Sequence, residues 1–238
     1  MAATRMILSR FLDVALHRST MAKISVSNKA TTPSRKNLTA ADRQQQIVER
    51  AITLFAQKGF ALTTRELAKG LQVTQPLLYR YFPSKQLLIE QVYQQVFMNR
   101  WDPELEQQLK DRTRPLRERL IDYFIGYTRT ILSNEWVRIF LYAGLQDPEL
   151  NQRYLKQLHE TVFLTIIEEL RHQRQQTTAL DGPALSLEIE VLWGFHSSFF
   201  YLGVRKWVYQ MPVAQNLTEL ITLRVNAFLD GALHCDPQ

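Results

Sequence analysis

The sequence predicts an all-α protein: a small N-terminal helical unit followed by a larger helical domain. Three observations predict it. From residue 39 onward apolar side chains recur at helical spacing. Ser and Thr caps, with Gly and Pro breakers, divide that pattern into segments of helix length. Val, Ile and Thr are scattered rather than gathered into the alternating runs of a strand, and no internal repeat is present. With 238 residues, 45% of them hydrophobic, the chain can bury one or two ordinary cores, which suits this division.

Residues 1–38 read as a basic N-terminal arm, disordered by composition and exemplified by "SVSNKATTPSRKN". Its first twenty residues differ, because "RMILSRFLDVALHRS" is weakly amphipathic and almost free of acid. Three readings stand: translated DNA upstream of a true start at Met21, an organellar targeting peptide, or an ordinary basic arm. Charge is unevenly distributed. Residues 1–41 hold seven Lys or Arg against Asp13 alone, residues 42–88 seven against three acids, and residues 89–238 fifteen against nineteen. The front of the chain therefore suits a polyanion and the rear does not.

Thr39 and Asp42 form a capping-box pattern, after which Ile47, Ala51, Leu54 and Phe55 share one helical face until Gly59. Thr63 or Thr64 caps a second helix, "TRELAKGL", with Leu67, Ala68 and Leu71 inward. Thr74 caps a third helix that Pro83 ends, and Ser84 caps a fourth running to about Arg100. Further helices are expected at 114–132, 135–144, 147–176, 183–209 and 214–234, separated by Asn134, "QDP", "LDGP" and "MP".

The third helix, in "TQPLLYRYFPSK", carries the functional signal. At 100° per residue Leu78 and Phe82 fall together, while Pro76, Leu77 and Arg80 occupy the opposite side. Pro76 is tolerated because first-turn amides have no helical partner. Two short helices, a tight turn and an outward N-terminal edge make a helix-turn-helix whose second helix enters the major groove of DNA. Gln75 can pair with an adenine edge, Arg80 can reach a guanine edge or a phosphate, and Pro76 and Leu77 offer apolar surface to thymine methyls. Tyr79 and Tyr81 can reach phosphates with their hydroxyls, and Lys85 adds charge at the N-terminus of the fourth helix.

The stretch "GFALTTRELAKGLQVTQPLLYRYFPSKQLL", residues 59–88, resembles the DNA-binding domain of the TetR family of bacterial repressors. By that resemblance Thr64 and Arg65 contact DNA from the second helix, Gln75, Pro76 and Leu77 read bases, and Tyr79, Tyr81 and Lys85 hold phosphates. Two departures are visible. Gln72 stands where the turn usually has Gly, at a cost of about 1 kcal/mol if the backbone is left-handed, and the loop "FAL" is one residue short. The expected organisation is thus an arm, 1–38; a helix-turn-helix domain, 39–88; and a ligand-binding and dimerisation domain, 89–238. The resemblance implies a homodimer through the last two long helices, a double-stranded DNA operator, a small effector and the bacterial cytoplasm.

In the larger domain "EIEVLWGFHSSFFYLGVRKWVYQ" is apolar around most of its circumference and must be covered on several sides, as in a four-helix dimer interface. Phe124, Tyr127, Trp136, Phe140, Phe163, Trp193, Phe195 and His196 would either line an aromatic pocket for an apolar effector or form plain core. His196 reads alternatively as a hydrogen-bonded interface histidine. A helical domain that meets a protein partner is the rival to one that holds a small ligand.

Catalysis finds little support. "HSS" at 196–198 lacks a nucleophile elbow, no Gly-rich phosphate loop is present, and Glu168 and Glu169 are expected on a solvated face. His159 and His172 lie too far apart on one helix to share a metal, and neither a metal nor a cofactor is expected. No apolar run reaches the roughly 20 residues of a spanning helix, so no membrane contact is expected either. The single cysteine, Cys235, excludes an intramolecular disulfide and suits a reducing cytosol.

Overall fold

Thr39 opens the first helix as the sequence predicts. In the computed structural model, which describes residues 39–176 and 181–233, its side chain accepts from the Asp42 amide while the Asp42 carboxylate accepts from the Thr39 amide. The arm of residues 1–38, with the readings of its first twenty residues, and Cys235 lie outside the described residues. α1 (Ala40–Lys58) buries Ile47, Val48, Ala51, Leu54 and Phe55 and ends at Gly59, whose φ of 71° and ψ of −167° suit glycine alone.

α2 (Thr64–Leu71) is capped by Thr63, which forms a second reciprocal box with Glu66. α3 (Gln75–Tyr81) is capped by Thr74, and α4 (Lys85–Val96) by Ser84. A short 3-10 turn at Met98–Arg100 then leads into the larger set: α5 (Pro103–Lys110), α6 (Leu116–Ile131), α7 (Asn134–Gln146), α8 (Pro148–Leu158), α9 (Leu164–Gln173), α10 (Gly182–Trp207) and α11 (Leu217–Ala232). All regular structure among the described residues is helical.

Three expectations are corrected. α5 was not anticipated: no helix was expected between about Arg100 and residue 114, but Asp102 caps one and Pro103 takes its first position, where no amide is needed. The helix expected over 147–176 is α8 and α9 joined through a π-helical segment, His159–Phe163. Glu169 is not solvated: it is 4% exposed and meets Arg119 and Arg112, whereas Glu168 is exposed.

A single apolar core runs through the described residues, from Ile47 to Leu229. α4 spans the expected boundary at residue 88, burying Leu88 and Ile89 on either side of it. α7 is the middle plate, packed on α1, on α8 and on α10. α10 comes so close to α7 that a Cβ on Gly203 would lie 2.5 Å from Val137, so only glycine admits this approach.

Candidate nucleic-acid interface

α2 and α3 hang from α1 by buried apolar contacts. Leu67, Leu71, Leu78 and Phe82 are each at most 3% exposed. Arg50 of α1 donates to the Leu71 carbonyl at 2.9 Å, satisfying an orphan acceptor at the end of α2. The turn between the helices uses Gln72 in the left-handed region, φ 58° and ψ 41°, with its amide on Ala68 and Lys69. The sequence anticipates this geometry, and Gln pays its steric penalty there.

With Leu78 and Phe82 anchored, Gln75, Pro76 and Arg80 project to solvent, as does Arg65 from α2. Tyr79 is 47% exposed. Leu77, Tyr81, Thr64 and Lys85 are half-buried, so Leu77 offers an edge to a partner rather than a free side chain. Thr64, Tyr79, Ser84 and Lys85 line one shallow crevice where the N-termini of α2 and α4 meet. Among the described residues no carboxylate pairs with Arg65, Lys69, Arg80 or Lys85. The face is thus cationic, built on short rigid helices and free to meet phosphates and base edges.

The aromatic residues of the larger domain fall into two packed groups. Trp136 stacks on Phe140 at 4.9 Å, with Phe97, Tyr154 and Phe200 around them. Phe124 stacks on Phe199 at 4.5 Å and meets Phe195, which stacks on Phe228 of α11. Phe163 lies edge-on to Trp193 at 4.6 Å. Between these rings the Tyr127 hydroxyl and His196 Nε2 form a buried hydrogen bond of 2.5 Å. Burial pulls His196 down to about 4 and keeps it neutral, and burial raises the Tyr127 phenol well above its ordinary value.

Tyr127 also borders a void of about 20 Å³ with Tyr123, Tyr154 and Trp101, room for about one water molecule. A larger, open hollow of about 710 Å³ lies elsewhere, between the end of α10 and the start of α11, lined by Leu132, Leu202, Trp207, Met211, Val213 and Leu217. None of the residues proposed from sequence for an effector borders it. Tyr123 and Tyr154 are buried polar neighbours of Tyr127 that sequence reasoning missed, because nothing in their spacing separates them from ordinary core.

Residues 47–92 match the family model described as bacterial regulatory proteins of the tetR family. No curated protein matches the chain. Among solved structures, a TetR-like transcriptional regulator from Rhodococcus sp. RHA1 shares 17% identity over 82% of this chain and 99% of its own, with a TM-score of 0.59. AmtR of Mycobacterium smegmatis shares 18% identity over 86% of this chain and 91% of its own, at 0.54. A TetR-family transcriptional regulator from Pseudomonas syringae pv. tomato str. DC3000 shares 21% over 81% and 97%, at 0.52. These likenesses establish a common fold. The fold and the exposed face of α2 and α3 define a helix-turn-helix unit of the kind that the matched family model describes. Residues 47–92 are thus similar to the DNA-binding domain of the tetR family, and the rest of the chain shares that family's fold.

Proposed function

We propose that this regulator is a dimeric repressor that reads a palindromic operator through α3 and is released by a small apolar or aromatic effector. The observation that carries the DNA contact is the exposed edge of α3, with neutral Gln75 and Pro76 in its first turn and Arg80 in its last, held outward by buried Leu78 and Phe82. Gln75, Pro76, Leu77 and Arg80 read base edges, while Thr64, Arg65, Tyr79, Tyr81 and Lys85 hold the backbone. Residues 39–88 form the reading domain and residues 89–238 the sensing and dimerisation domain.

The dimer reading draws on α10 and α11. Leu187 and Val191 are each 58% exposed, Leu223 is 60% exposed, and Tyr201 continues the α10 stripe. Gly194, between them, has no atom within 4 Å of its Cβ position, so a second helix can approach closely there. An isologous pairing through this face presents two copies of α3 to half-sites about one DNA turn apart. The effector then acts by favouring a dimer geometry that does not match the groove.

The exposed stripe also suits a different protein as partner, which is the second reading. A rise in melting temperature with aromatic compounds supports the sensor. A partner that co-purifies with the full chain, with no such rise, supports the rival. The primary test is fluorescence anisotropy on the DNA upstream of the protein's own gene against scrambled DNA, at two salt concentrations. Preference that persists at higher salt supports a sequence-reading regulator; after selection from random duplexes as well, equal and salt-sensitive binding to every sequence would overturn it.

A further inference from the structure

Helices end with carbonyls that have no partner along the chain. At the end of α1, Phe55 O accepts from the Gly59 amide, which leaves the carbonyls of Ala56, Gln57 and Lys58. The first two are met from α7. Arg138 Nε donates to Ala56 O at 2.5 Å, and the Tyr142 hydroxyl lies 3.5 Å from Gln57 O. The same guanidinium donates through Nη1 to Trp207 O, at the end of α10, at 3.3 Å, and through Nη2 to the Tyr142 hydroxyl at 3.2 Å.

One planar cation therefore sits between the C-terminal ends of two helices, where both dipoles favour it. One of those helices carries the DNA-reading unit and the other the exposed stripe. Neither contact is loose at its far side. α1 holds α2 through Arg50 and Leu71 O, while α10 is pinned by the Trp207 indole, which donates to Leu132 O at 2.7 Å, and by the close approach of Gly203 to Val137.

We propose that Arg138 is the positioning residue that sets the angle of the DNA-reading unit against the dimer helix α10; this rests on the reading that α10 and α11 form the dimer. Arg138 reaches no base or phosphate itself. Its fork fixes the α1 end and the α10 end relative to each other, so a shift of α10 within the dimer is passed to α1, and through Arg50 to α2 and α3. A single-donor side chain cannot hold both ends at once.

The test uses the full chain with Cys235→Ser and a spin label at Gln45→Cys, on the exposed side of α1. Pulsed dipolar spectroscopy then measures the distance between the two reading units of a dimer. The expected result is one narrow distribution for the unsubstituted Arg138 protein, broadened about twofold or shifted in Arg138→Met, with Arg138→Lys between the two. A role confined to stability would lower the melting temperature and leave the distribution in place. An unchanged distribution in folded Arg138→Met overturns the proposal; should that variant not fold, an unchanged distribution in Arg138→Lys does so. Absence of any dipolar signal at labelling concentrations in the parent protein would instead overturn the dimer reading.

Discussion

Arg119 and Glu169, fifty residues apart in sequence, form a buried ion pair: Nη1 to Oε2 is 2.9 Å, and the side chains are 3% and 5% exposed. Arg119 also donates to Arg114 O and Leu109 O, and Arg112 Nε binds the second Glu169 oxygen at 2.9 Å. The pair ties the α5–α6 connection to α9. Burial raises the Glu169 carboxyl, but the hydrogen bonds from Arg112 and Arg119 outweigh it and hold the group below its ordinary value.

Glu169→Gln should therefore destabilise the fold by about 3 kcal/mol, because it leaves the Arg119 charge buried without its counter-ion. Chemical denaturation at neutral pH measures this. A carboxyl depressed in the folded state contributes stability that is present above its unfolded pKa and lost as pH falls through the folded one. The parent protein should thus lose stability below pH 4.5, with a shallower loss in Glu169→Gln.

His196 acts in a different window. Its folded pKa of about 4 lies below the free value of 6.5, so protonation favours the unfolded chain. Stability present at neutral pH should fall between those two values, by about 3 kcal/mol in all. His196→Phe should remove this dependence, and denaturation midpoints taken between pH 7 and pH 4 would show it. A parallel pH profile for the variant would contradict the assignment.

Gln72→Gly should stabilise the protein by about 0.5–1 kcal/mol, since glycine takes the left-handed φ of 58° without a Cβ penalty. DNA affinity should stay within twofold or so, as Gln72 lies in the turn and not on the reading edge. Thermal unfolding and anisotropy together check both halves.

Arg80→Ala and Lys85→Ala should differ in kind. If Arg80 reads a base, its loss costs about 1–3 kcal/mol of binding and relaxes preference at one operator position. If Lys85 holds a phosphate, its loss weakens all sequences alike and shallows the salt slope by about one unit. Two variants that bind as the parent does would remove α3 as the reading helix.

Val191→Glu with Leu223→Glu should convert a dimer to a monomer, since both side chains are exposed on the proposed interface while Leu192 and Val225 beside them are buried. Sedimentation would show the change in mass, and affinity for a palindromic duplex should drop by about tenfold or more. Unchanged mass would move the interface elsewhere.

Sequence by itself determined the features that depend on neighbouring residues. Thr39, Thr63, Thr74 and Ser84 cap helices by bonds within three residues, Gly59 and Gln72 end helices by their own backbone angles, and Leu78 and Phe82 share a face by helical spacing alone. From these the exposed side of α3 followed. What the tertiary structure alone decided depends on groups far apart in the chain: Arg138 at the end of α1 is 82 residues from Ala56, and Arg119 meets Glu169 across helices. A buried Glu and a solvated one carry the same local pattern, as Glu169 and Glu168 show, and so do an aromatic ring that packs and one that lines a pocket. Desolvation and pairing separate them, and both are properties of the assembled core.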